Sequence, residues 1–326
     1  MKRTFSIFIC LILIISLTSC VPKKTDGAVG KRNCIIQDGA EKVVFIDALG
    51  KEQTVHKNPK RVVCLYHSYL ELWDLAGGEV IGRVDSGRPI PKKAQNAQVV
   101  GGNGPPNVER ILSLKPDLVI LSPTMNGQTD IIKVLEENNI EYIGLKYENF
   151  DEYLDALYLF TRLTGKDELY EKYGIVIEKE INEIKARVPK EKKPKVLLLF
   201  ATARGVKANL PTSTVGSMFE DLGVYNIAYD PNMSDAQMQI FSMEKVLQED
   251  PDFIFVQTMG SNVVGIREKI KKDVESNPAW ASLKAVKNDK YIFLDKELYL
   301  YKANERYKEA YEGLAEILYP EVFNKK

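Results

Sequence analysis

The hydrophobic pattern changes period along the chain, and the changes outline a fold. Val43 to Ile46 alternates, Leu49-Gly50-Lys51 makes a turn and Val55 follows, which predicts a β-hairpin over residues 43–56. Arg61 to Tyr66 (RVVCLY) is a short apolar run of the buried-strand type. Ser68 to Ala76 carries apolar residues at helical spacing until Gly77-Gly78 stops it. Strand 80–84, helix 107–114, strand 118–121, helix 131–138 and strand 142–145 follow. The second half repeats the order, with KVLLLF at 195–200, a helix over 214–222 ending at Gly223, and a helix over 241–248. Strand 253–256, helix 264–272 and strand 290–294 complete it. Strands alternating with short helices predict parallel sheets in an α/β layer arrangement.

The two halves also match in letters. Residues 107–122 (NVERILSLKPDLVILS) and 242–257 (SMEKVLQEDPDFIFVQ), 135 residues apart, align Glu109 with Glu244 and Pro116-Asp117 with Pro251-Asp252. Arg61 lies 55 residues before Pro116, and Lys195 lies 56 before Pro251. A period this long indicates two related lobes and not a solenoid. Two similar Rossmann-like α/β lobes are expected, residues 41–150 and 191–326, with a ligand cleft between them. The segment 151–190 should link them: Thr164-Gly165 divides it, and a helix of roughly 22 residues from Asp167 to Val188 would span about 33 Å. A single helical crossing limits hinge motion.

The amino terminus sets the compartment. Lys2 and Arg3 precede an apolar run from Phe5 to Leu17, then Leu17-Thr18-Ser19-Cys20: a secretory signal over residues 1–19, too short to span a membrane stably. Leu-Thr-Ser-Cys resembles a bacterial lipobox, which would make Cys20 the lipidated end of a flexible tether over 20–40. The lesser alternative is an ordinary signal that happens to end near a cysteine. Cys10 leaves with the signal, so Cys34 and Cys64 remain, expected unpaired. No CxxC or Cys/His cluster suggests a metal centre. The 45 basic and 45 acidic residues balance, and nothing points to nucleic acid.

FIDALGKEQTV, NPKRVVCL, the NVERILSLKPDLVI and NPAWASLKAVKNDKYIFLD blocks, and Tyr319-Pro320 occur here in the order and spacing of a known family. From Val43 to Pro320 the chain resembles the lipid-anchored substrate-binding proteins of ABC importers for iron–siderophore, haem and cobalamin. The resemblance implies two lobes on one long helix, a cleft that closes little, no cofactor and no enzymatic step. It further implies a monomer outside the cell membrane that delivers cargo to a permease. It also implies that Glu109 and Glu244, one per lobe, dock on permease arginines. The alternative is that each glutamate merely favours the positive end of its own helix, and the repeated pair favours docking.

Ligand contacts are expected in loops at the carboxyl ends of strands. Tyr66, His67 and Tyr69 follow the first strand, and Met125 and Asn126 follow LVILS. Arg204 follows KVLLLF, Met259 follows FIFVQ, and Tyr299 and Tyr301 alternate in the late segment LYLYK. Arg204 offers a planar fork to an anionic chelate, or a surface salt bridge. His67 could ligate haem iron, though a lone loop histidine is more often structural. Ferric siderophore is the leading cargo, with haem and cobalamin behind. A metalloenzyme-like two-lobed protein is the rival from another class. Neither GxGxxG, a P-loop nor a Ser/His/Asp set is present to support it.

Overall fold

The computed structural model describes residues 32–102, 104–228, 238–239 (backbone only) and 242–324. The signal, Cys20 and the tether to residue 31 lie outside the described residues.

The end of the expected tether is folded. Strands β1 (Ile35–Asp38), β2 (Lys42–Ile46) and β3 (Glu52–His56) form a three-stranded antiparallel sheet, so the predicted hairpin gains a strand. Side-chain anchors correct the tether boundary. Arg32 pairs with Asp151 and Asp155, Cys34 Sγ lies 3.6 Å from the Asp155 carbonyl, and Ile35 is buried. Asp38 pairs with Lys57 at 2.5 Å and with Arg162 at 2.6 Å.

The first lobe runs β4 (Val62–Cys64), α1 (His67–Leu75), β5 (Gly82–Val84), β6 (Gln98–Gly101), α2 (Val108–Ser113), β7 (Leu118–Leu121), α3 (Ile132–Glu137) and β8 (Glu141–Gly144). The five strands lie in the order β6-β5-β4-β7-β8, every pair parallel. VVC and LVIL are buried throughout, as strands covered on both faces must be. Gly77, just past α1, has φ 81°, a turn that a side chain would strain.

The link begins with α4 (Phe150–Thr164), whose cap Asn149 accepts from the Glu152 N–H at 2.9 Å. Beyond Gly165 one rod follows, made of α5 (Asp167–Tyr170), a π turn over Glu171–Ile175 and α6 (Val176–Arg187). This is the predicted long helix with one wide turn in it. Gly174 allows that turn to pack, since a Cβ there would sit 2.9 Å from the Tyr170 ring. Tyr153 donates to the Tyr173 carbonyl at 2.9 Å and satisfies an oxygen of the π turn.

The second lobe comprises β9 (Lys195–Thr202), β10 (Gly205–Asn209), α7 (Thr214–Asp221), β11 (Tyr225–Asn226), β12 (Met238–Gln239), α8 (Met243–Glu249), β13 (Phe253–Thr258), α9 (Val263–Ile270), α10 (Lys284–Lys287), β14 (Tyr291–Phe293) and α11 (Lys296–Tyr299). Its six-stranded sheet has the path β12-β10-β9-β13-β14, with β11 beside β9. The strands β9, β13 and β14 are parallel and match β4, β7 and β8. One feature breaks the likeness. Residues after KVLLLF, read as a loop, form a hairpin in which β10 runs antiparallel to β9 with Thr202 opposite Gly205. Val206 and Ala208 are buried while Lys207 is exposed, the period of a strand with one face inward.

The segment LYLYK begins in a short helix. Asp295 caps α11 by accepting from the N–H groups of Glu297 and Leu298, and Tyr299 ends that helix. The chain then returns through α12 (Tyr307–Leu318), which packs on α6, and ends its described part with α13 (Pro320–Phe323). The Tyr307 ring lies 5.2 Å from Phe150 and 5.1 Å from Tyr153 of α4, so the terminal helix ties the second lobe back to the link.

Candidate functional site

A cavity of about 210 Å³ lies where the carboxyl ends of both sheets face each other. The first lobe supplies Tyr66 after β4, Thr124 after β7 and Glu148 after β8. The second supplies Phe200 of β9, Asn209 of β10, Thr214 at the start of α7, and Gln257 and Met259 at the end of β13. Leu300 and Lys302 of the returning segment close one side. Small-molecule sites usually hold about 300–1,000 Å³, so cargo of that size protrudes from the cleft or requires wider lobes.

The walls are built rigidly. Tyr69 is buried, and its hydroxyl donates to the Leu145 carbonyl at 2.7 Å and lies 3.3 Å from Ser122 Oγ. Tyr66 meets it edge-on at 4.7 Å. Across the cleft, Asn209 donates to the Gln257 side chain, which donates in turn to the Tyr299 carbonyl. Tyr299 donates its hydroxyl to the Ala310 carbonyl at 3.1 Å.

One ion pair stands in the lining. Lys302 Nζ donates to Glu148 Oε2 at 2.6 Å, and the Thr214 hydroxyl donates to the same oxygen at 3.1 Å. The ammonium also lies 5.3 Å from the Tyr147 ring centre. The side chains are 11% and 22% exposed, so this pair is largely out of water. Burial holds the Lys302 ammonium below its ordinary pKa despite the Glu148 charge beside it.

The lobes are pinned behind the cavity. Asn304 accepts from the Tyr147 hydroxyl at 2.7 Å and donates to the Ser68 carbonyl at 3.2 Å. Arg88 donates to Glu71 in its own lobe and to Glu297 in the other, with its guanidinium 4.1 Å from the Tyr301 ring centre. Of these, Asn304, Arg88, Glu71 and Glu297 border a second hollow of about 340 Å³ that shares Lys302. A third, of about 190 Å³, lies away from the cleft between β2, β8 and α4.

Of the predicted contacts, Tyr66, Tyr69, Met259 and Tyr299 line the cavity. Met125 is half-buried and Asn126 exposed outside the lining, where Thr124 takes their place. Tyr301 faces Arg88 and not the cavity. Arg204 is exposed at the β9–β10 turn, its N–H bonded to Thr202 Oγ1 at 3.1 Å. His67 opens α1 and is 3% exposed, with Nδ1 2.8 Å from Ser86 Oγ and Nε2 3.2 Å from Glu71 without alignment for a hydrogen bond. His67 is not among the residues that line the cavity. No group of three or more metal-ligating side chains occurs among the described residues. Cys34 and Cys64 are free thiols, and burial pushes each up to about 12.

Sequence reading missed Glu148 and Lys302. Glu148 was legible in principle, because it follows β8 at the same carboxyl edge as the loops that were flagged. Lys302 closes the flagged segment LYLYK, but nothing local to it shows that its ammonium is buried against a carboxylate of the other lobe.

Glu109 and Glu244 occupy matching places. Each sits in the first turn of its helix, α2 or α8, behind a side-chain cap, Asn107 or Ser242. Both are exposed and neither has an ion-pair partner among the described residues. The helices end beside the starts of β4 and β9, where Arg61 donates to the Lys115 carbonyl at 2.9 Å and Lys195 to the Glu249 carbonyl at 3.2 Å. Their first turns therefore lie toward the carboxyl edges, the edges that form the cleft.

Comparison with known proteins agrees with this geometry. The profile described as "Periplasmic binding protein" matches residues 62–298. The Fe(3+)-citrate-binding protein YfmC of Bacillus subtilis (strain 168) is 27% identical over 297 residues, which is 89% of this chain and 88% of that protein. The putative ABC transporter substrate-binding lipoprotein YhfQ of the same organism is 26% identical over 318 residues, 92% of each chain. Among solved structures, an ABC transporter substrate-binding protein from Listeria monocytogenes EGD-e superposes with a TM-score of 0.70 at 22% identity. That superposition covers 81% of this chain and all of the other.

Proposed function

The chain belongs to the periplasmic binding protein family, and from that premise we propose that it captures a ferric siderophore outside the cell and hands it to an ABC permease. The observation that carries the reading is the cavity lined from the carboxyl edges of both lobes, the place where open α/β sheets take ligands. YfmC, similar over most of both chains, is a binding protein for a ferric chelate, which favours iron over other cargo. The mechanism is capture, docking and release, with no bond made or broken.

Two further parts belong to the proposal. Glu109 and Glu244 are the permease contacts: exposed carboxylates, one per lobe, give a basic partner a two-point register that governs orientation and encounter more than affinity. Cys20 is the lipid anchor that holds a monomer at the outer face of the cell membrane. The lipoprotein name of YhfQ supports that location.

Titration of the purified protein with ferric siderophores, haemin and cobalamin, followed by intrinsic fluorescence, tests the cargo. Tyr66 and Tyr299 line the cavity, so saturable quenching by a ferric siderophore is expected. Silence toward every ferric chelate overturns the reading, and turnover of any ligand replaces it with the enzyme rival.

A further inference from the structure

We propose that the cleft selects ferric chelates by charge, favouring uncharged complexes over anionic ones, and that Glu148 is the residue that sets this preference by neutralising Lys302. The inference rests on the reading of this cavity as the cargo site.

Among the described residues, Lys302 and Glu148 are the charged members of the lining, and each cancels the other across 2.6 Å. Thr214 completes a closed triangle, 3.1 Å from Glu148 Oε2 and 3.4 Å from Lys302 Nζ. The remaining polar groups, Asn209, Ser213, Gln257, Thr124 and the tyrosine hydroxyls, are neutral. Charges in the surroundings supply no spare cation either, since one arginine there faces two carboxylates. Glu152 and Lys146 act on Lys302 with opposite signs, and Arg88 is held between Glu71 and Glu297. Arg204 and Lys207 are exposed on the β9–β10 hairpin outside the lining, where solvent screens them.

An anionic chelate entering this chamber gives up its hydration without meeting a free positive charge. A buried charge without a counter-charge is costly, and an uncharged complex does not meet that cost. An anion could gain Lys302 only by displacing Glu148, leaving that carboxylate unpaired. The Glu148–Lys302 pair thus acts as a built-in competitor for ligand charge.

The test compares uncharged ferric trihydroxamate with trianionic ferric tris-catecholate on the mature protein at neutral pH. The wild type should bind the trihydroxamate at least about tenfold more tightly. Glu148→Gln keeps the shape and an acceptor for Thr214 but frees the lysine charge. It should move the affinity ratio toward the tris-catecholate by about tenfold or more. The double variant Glu148→Gln/Lys302→Gln is again neutral and should return the preference to the trihydroxamate. It separates charge from damage to the fold, with thermal unfolding as the control on each variant.

A wild type that binds the tris-catecholate as tightly as the trihydroxamate overturns the inference while leaving iron-chelate binding intact. So does a ratio that Glu148→Gln leaves unchanged. Binding of no ferric chelate at all overturns the proposed function and this inference with it.

Discussion

The two edges of the sheets have diverged to different degrees. At the amino edge the lobes are near copies. Asp117 accepts from the N–H groups of Lys60 and Arg61 at 2.7 and 2.9 Å, and Asp252 accepts from the Lys195 N–H at 2.9 Å. The residues before the two prolines, Lys115 and Asp250, take left-handed φ of 47° and 44°. At the carboxyl edge the likeness fails: β4 leads directly into α1, whereas β9 first folds back as β10 before α7. The amino edge solves a problem common to both lobes, how to turn from a helix into a buried strand. The carboxyl edge meets cargo, and each lobe meets a different part of it.

The exception at the carboxyl edge is the glutamate pair, which matches between lobes, and breaking it should give the largest effect. The double reversal Glu109→Arg/Glu244→Arg should reduce iron-chelate uptake by cells about a hundredfold or more, with the purified protein's chelate affinity unchanged. Uptake at the wild-type rate would leave the pair as helix-end charges and nothing else. Next comes the lobe junction. Lys302→Met strands Glu148 in the lining, and removal of one partner of a buried pair costs about 3 kcal/mol, read as a lower denaturation midpoint. A midpoint equal to the wild type would mean that water reaches Glu148 freely.

The duplicated latches come third and test the amino edge directly. Asp117→Ala and Asp252→Ala should each cost about 2 kcal/mol, because a carboxylate bonded to backbone N–H groups at a strand start is lost in both. Acid separates a charge effect from a packing effect at Asp252. Burial alone would raise its carboxyl, but Lys284 and the Lys195 N–H outweigh it and hold the pKa below the ordinary 3.8. The stabilisation is therefore complete above pH 3.8 and disappears as pH falls through the lower folded value. Chemical denaturation of wild type and Asp252→Asn across that range should show the difference between them shrinking toward acid. A constant difference would contradict the assignment.

How much of this was legible follows the same division. Long apolar runs and helix stops placed β4, β7, β9, β13 and the rod over 167–187, because burial on both faces and glycine or proline punctuation are written locally. The left-handed Lys115 and Asp250 carry no local sign, since glycine or asparagine is the usual occupant of that conformation. Arg32 and Cys34 read as tether because their partners, Asp151 and Asp155, lie in a helix far along the chain. Tyr66, Tyr69 and Met259 were visible by the strand-end rule. The Glu148–Lys302 pair was not, because it depends on how the returning segment crosses between lobes.

Arg204 provides the smallest expected effect and the sharpest check on reading the carboxyl edge from sequence. An arginine beside glycine after a buried strand suggests an anion fork, but that expectation assumes the strand ends in a loop facing the cleft. Here the strand continues into β10, and the two-residue turn Ala203-Arg204 carries the side chain into solvent. Arg204→Ala should therefore change stability by less than about 0.5 kcal/mol, as surface substitutions usually do. Chelate affinity should change less than about twofold at physiological salt, where charges in water are screened beyond about 8 Å. Equilibrium titration of wild type and variant with the same ferric chelate measures it. A tenfold loss would show that the hairpin folds over bound cargo, and the charge of the cleft would then include its rim.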